Sequence, residues 1–122
     1  MKWTQELGPA LPREELEEDF RRARDLGKVR LGERCLYFTR LSGTVCLPYG
    51  EVVWAYLRQE EVNAKLCCGQ ANFDQFYLMV QGSDGKLRRG QVLTKQAGGQ
   101  ALEHIAARCP EAKIGYYKNA AG

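Results

Sequence analysis

The groups able to do chemistry in this chain are few: five cysteines (Cys35, Cys46, Cys67, Cys68 and Cys109), one histidine (His104), and scattered arginines and lysines. No two cysteines stand at C-x-x-C spacing, so the sequence encodes neither a zinc knuckle nor a thioredoxin-type dithiol. An odd count, with no apolar stretch of signal-peptide type after Met1, argues for reduced thiols over a disulfide framework. Several of them read as small buried hydrophobes. Adjacent Cys67 and Cys68 would point to opposite faces of a strand. A small thiol-dependent enzyme built on that pair is one alternative reading.

His104 lies in a helical run beside Leu102 and Ile105 but off their apolar stripe, which places it at the surface. A catalytic histidine needs a nucleophile or a carboxylate beside it. Glu103 is its neighbour in sequence only, because adjacent residues on a helix do not face each other. No set of three or four metal ligands stands at workable spacing, and no glycine-rich or Walker-type phosphate loop is present. The expectation is a protein with no catalytic residues, no cofactor and no metal.

The net charge of +3 is unevenly placed. Residues 1–27 hold five Lys/Arg against seven Asp/Glu, and residues 28–122 hold thirteen against eight. This mildly basic body falls short of the clustered basic face of a nucleic-acid binder. Lys86, Arg88 and Arg89 on a late strand read first as solvated or edge-protecting charge, with contact to an anionic ligand or an acidic partner as the alternative. No apolar run approaches the ~18 residues of a membrane span, and the chain reads as cytoplasmic.

The elements that would position these groups change period once. Residues 1–11 read as a loose lead-in. From Arg13 to about Leu26, Leu16, Phe20 and Ala23 form a narrow helical stripe, with acids early, arginines late and Gly27 as the stop. About seven strand-like runs follow between Val29 and Val92. Val29 and Leu31 share a face, Cys35 to Thr39 is rich in aromatics, and Pro48 marks a strand end. Glu51 to Gln59 is apolar on both sides, with Val53, Ala55 and Leu57 on one and Val52, Trp54 and Tyr56 on the other. Such a strand is covered twice or meets a partner, and aromatics are enriched at interfaces. Val52, Trp54 and Tyr56 are therefore the candidate partner surface. Glu60 to Asn72 reads as a strand through Cys68 and then a loop. Gly82-Ser83-Asp84-Gly85 reads as a hairpin turn, and Thr94 caps a helix to Cys109 whose stripe is Leu102, Ile105, Ala106 and Cys109. A short extended tail holds Tyr116 and Tyr117.

Three features resemble the bacterial form of the pleckstrin-homology-like superfold. They are the step Leu47-Pro48-Tyr49-Gly50-Glu51-Val52, the late turn Gly82 to Lys86, and a helix after the last strand. The ending Arg108-Cys109-Pro110 with Gly115-Tyr116 is similar to small proteins of Gram-positive bacteria. The resemblance implies a mainly β (α+β) sandwich or barrel of about seven strands over residues 28–118, closed by the C-terminal helix. Residues 1–27 would add a lead-in and a helix to what is one domain overall. It also implies protein or peptide binding, self-association as a homodimer included, through a sheet face or edge. The alternative that the resemblance implies is peripheral binding of anionic lipid or another anionic ligand, with Lys28, Arg30, Arg34 and Arg40 as the candidate contacts. The turn matching the phosphoinositide loop is short and carries the acidic Glu33, which argues against an inositol phosphate.

Overall fold

Period-two alternation from Val29 onward yields a meander of hairpins, and their apolar faces meet in two sheets. The computed structural model describes residues 3–5, 7–66 and 69–115, with only the backbone described for 61–66 and 69–73. The elements are β1 (Trp3–Gln5), α1 (Arg13–Arg22), β2 (Arg24–Asp25), β3 (Val29–Leu31), β4 (Cys35–Arg40), β5 (Gly43–Pro48), a 3-10 turn (Tyr49–Glu51), β6 (Val52–Leu66), β7 (Gly69–Gly82), β8 (Leu87–Val92), α2 (Lys95–Arg108) and β9 (Lys113–Ile114). One sheet has the order β1-β5-β4-β3-β2 and the other β8-β7-β6-β9. The fold is mainly β with two helices. No closed barrel forms, and an isolated bridge between Gly27 and Val92 links the sheets.

The main core lies between the sheets. Val29, Leu31, Leu36, Phe38 and Leu47 meet Ala55, Leu57, Leu78, Val80 and Val92, and α2 adds Ala101 and Ile105. A second cluster, Leu16, Cys35, Tyr37 and Cys46, fills the space between α1 and the outer face of the first sheet. Trp3, Phe20 and Tyr37 meet edge-to-face there, with centroids 5.0 to 5.9 Å apart. The N-terminal helix is thus docked on the sheet.

Several boundaries differ from the sequence reading. The lead-in contains β1, which pairs in parallel with β5, Trp3 opposite Thr44. The helix ends at Arg22, because Ala23 turns extended and Arg24–Asp25 pairs with Arg30–Leu31. That early exit brings Leu26 into the main core. Among the described residues six strands lie between Val29 and Val92, since residues 60–66 and 69–72, read as a strand and then a loop, form the distal part of β6 paired with β7. In α2, Thr94 caps as expected, accepting from the Ala97 amide at 3.0 Å. Its buried line, however, is Gly98, Ala101, Ile105 and Cys109, with Leu102 and Ala106 half-buried. Gly98 is there because of close approach: a Cβ on it would collide with the Leu57 side chain.

Arg88 is buried and grips Asp84 with two hydrogen bonds of 3.2 and 3.0 Å, closing the β7–β8 turn. This pairing holds the Asp84 carboxyl below its ordinary pKa.

Candidate functional site

The longest hairpin outruns its neighbours. β8 pairs with β7 only from Phe76 to Gln81, and β9 pairs with β6 only at Trp54 and Ala55. Among the described residues, β6 from Gln59 to Leu66 and β7 from Gly69 to Gln75 form a ribbon with no third strand. An isolated two-stranded hairpin is marginal in water, and its outer edges present unpaired N–H and C=O groups. Register pairs Val62 with Phe73 and Ala64 with Ala71, alternating with Glu61–Asp74 and Asn63–Asn72.

The candidate partner surface does not form as one patch. The β6–β7 register shifts between Val52 and Trp54, and this bulge breaks the strict alternation. Val52 joins Ala55 and Leu57 in the main core, while Val53 emerges at the surface. Tyr56 is also buried. Trp54 is half-buried, its ring 4.7 Å from Tyr56 and under the Lys113 ammonium at 5.5 Å. Of the three residues expected to face a partner, Val52 and Tyr56 are covered within the chain.

The four candidate basic residues separate as well. Arg30 stacks on Phe20 at 4.3 Å and stands 3.6 Å from Asp25, on the side covered by α1. Arg34 reaches Glu15 at 3.3 Å at the far end of the sandwich. Lys28 and Arg40 come together, because the Thr39 amide donates to the Lys28 carbonyl at 2.9 Å. They line a groove of about 510 Å³ with Leu41, Tyr77 and Arg89. Among the described residues the groove lining contains no carboxylate. Arg89, which sequence reading set aside as edge charge, stacks on Tyr77 at 5.1 Å; its nearest acid is Glu60 at 3.9 Å. Pairing of Gln91 with Tyr77 brings β8 beside this site, a relationship with no local signal in sequence.

At the opposite end, α1, the β3–β4 turn and α2 enclose a cleft of about 470 Å³. Asp19 builds it, accepting from the amides of Glu33 (2.8 Å) and Arg34 (3.2 Å) and from the Tyr37 hydroxyl (2.7 Å). Gly32 must lack a side chain, since a Cβ would collide with the Asp19 carboxylate. The Gly32 carbonyl accepts from the Tyr49 hydroxyl at 2.6 Å and meets His104 Nε2 at 3.0 Å. A carbonyl only accepts, so Nε2 carries the proton. His104 is therefore a half-buried clamp between α2 and the turn, not the surface residue expected. Its acidic and basic neighbours are interleaved: Glu15 pairs with Arg34, and Glu18 with Arg22.

Cys35 and Cys46 are wholly buried; burial pushes both thiols up to about 12. A thiolate nucleophile is suppressed in such surroundings. Cys109 is buried too, its thiol 3.7 Å from the Val52 carbonyl. Cys67, Cys68, Tyr116 and Tyr117 lie outside the described residues. Among the described residues no cluster of His, Cys, Asp or Glu is placed to hold a metal ion, and no helix is long and apolar enough to cross a membrane.

No curated protein and no solved structure matches the chain. A family model described as a domain of unknown function, DUF6709, matches residues 4–121, nearly the whole length, and the chain belongs to that family.

Proposed function

We propose that this protein is a non-enzymatic binding module that associates with a second copy of itself through the free edge of the β6–β7 ribbon. The observation that carries this is the ribbon's lack of a third strand from Gln59 to Leu66 among the described residues. Strand addition satisfies open backbone groups and needs no deep pocket. An antiparallel, two-fold pairing centred between Val62 and Asn63 sets position 65 of each copy, a lysine, opposite position 60 of the other, a glutamate. It also sets Gln59 opposite Leu66. The pleckstrin-homology-like reading of the sandwich is part of this proposal, supported by two packed sheets, the Pro48–Tyr49 step between them and α2 along their side.

The test is solution mass by light scattering for the wild type and for a variant in which an Asn-Gly turn replaces residues 61–74. That turn joins Glu60 to Gln75, which already face each other, in the form favoured for two-residue hairpins. A wild-type dimer that becomes a folded monomer on shortening is the expected result. A monomeric wild type at micromolar concentration, or a dimer indifferent to shortening, overturns the proposal.

A further inference from the structure

One end of the sandwich sets exposed leucine beside a basic cluster, in which Arg89 stands 3.9 Å from Glu60 while Lys28 and Arg40 form no ion pair among the described residues. Leu41, at the tip of the β4–β5 turn, is fully exposed at 110%, and Leu93 is 75% exposed. Backbone hydrogen bonds tie the two tips to one end. Thr39 donates to Lys28, Lys28 donates to Gln91, and Leu93 donates to Leu26, each at 2.9 Å. Gly27 lies against the Leu93 side chain. Lys28, Arg40 and Arg89 line the groove beside Leu41, and among the described residues the lining holds no acid. Its neutral members, Thr39 and Gln91, offer hydrogen-bonding groups.

From this we infer that this end docks on the surface of an anionic bilayer, with Leu41 entering the headgroup region and Lys28, Arg40 and Arg89 contacting lipid phosphates or carboxylates. The combination is what separates a bilayer from a dissolved anion. A free phosphate gains nothing from a leucine held clear of the protein, whereas an interface takes up apolar tips and attracts cations together. Juxtaposition of a basic cluster with an apolar tip also explains why Leu41 is left without cover while Leu36 and Leu47, on the same two strands, are fully buried. This inference stands apart from the ribbon proposal, which concerns β6 and a different readout.

Co-sedimentation of the full chain with vesicles of phosphatidylcholine, with and without phosphatidylserine, tests it. Binding is expected only where phosphatidylserine is present, weakening as salt rises because exposed charges are screened. Arg40→Ala and Arg89→Ala should each lower vesicle affinity about fivefold, and Leu41→Ser should lower it at least as much while leaving the unfolding temperature unchanged. Absence of binding to either vesicle, equal binding to both, or binding indifferent to Leu41→Ser overturns the inference. So does full competition by soluble glycerophosphoserine, which would make the groove a site for a dissolved anion.

Discussion

The Tyr37 hydroxyl, on the outer face of the first sheet, donates to the Asp19 carboxylate of α1 at 2.7 Å. That same carboxylate takes the amides of Glu33 and Arg34, so one side chain ties the helix to the β3–β4 turn. Asp19→Ala would leave the wholly buried Tyr37 without this acceptor. A loss of about 2–4 kcal/mol is expected, as for other broken buried networks. Urea unfolding measures it; a change within the ~0.5 kcal/mol typical of surface substitutions would show that α1 is held by packing alone.

The buried thiols make stability fall in alkali. Cys35 and Cys46 ionise near 9 when exposed and near 12 in the fold. The folded state therefore holds their protons more tightly, and stability is full below pH 9 and lost as pH rises toward 12. Melting temperatures across that window should drop for the wild type and drop less steeply for a Cys35→Ala/Cys46→Ala variant. Equal slopes would assign the alkaline loss elsewhere, the buried Tyr37 and Tyr49 being next in line because burial raises both hydroxyls.

Two adjacent glycines of α2 should respond in opposite directions. A methyl on Gly98 would press on Leu57, whereas one on Gly99 meets nothing within 4 Å. Gly98→Ala is expected to cost about 1–3 kcal/mol through overpacking. Gly99→Ala should gain up to about 1 kcal/mol from helix propensity. Thermal unfolding of the pair checks this, and a stabilised Gly98→Ala would mean that the helix can move off β6.

Trp54 separates edge from face. Because it is half-buried against Tyr56, Trp54→Ala should cost about 1–3 kcal/mol of stability and leave the solution mass unchanged. Light scattering on the variant decides: dissociation of a dimer by this substitution would move the contact from the ribbon edge to the sheet face.

What was legible in the sequence was the local and the periodic. Val29 and Leu31 alternate with Arg30, Cys35 to Thr39 is rich in aromatics, both runs form the expected strands, and Gly85 takes the positive φ its turn requires. Less legible were features decided at a distance. Gly27 looks like a helix stop, but the need to seat Leu26 in the core ends α1 four residues earlier. Gly69 to Asn72 carries turn-forming residues and so reads as a loop after the strand, although these residues pair with Asn63 to Leu66. A bulge at Val52 inverts the faces that strict alternation assigns to the start of β6, and so the candidate surface was misdrawn there. Lys28 and Arg40 were identified as basic candidates, but their meeting with Arg89 and Leu41 depends on pairings between strands far apart in sequence.

The two parallel pairings carry a consequence for how the chain is made. Trp3 leaves the ribosome before most of the chain but cannot pair until Thr44 has followed it, and β9 must return to Trp54 after α2 has packed. Contacts so distant in sequence form late, whereas the β3–β4–β5 and β6–β7–β8 meanders close between neighbours. During synthesis the aromatic patch of Trp3, Phe20 and Tyr37 therefore waits uncovered while the strands beneath it assemble. Pulsed hydrogen exchange during refolding should find the amides of β4 protected before those of β1.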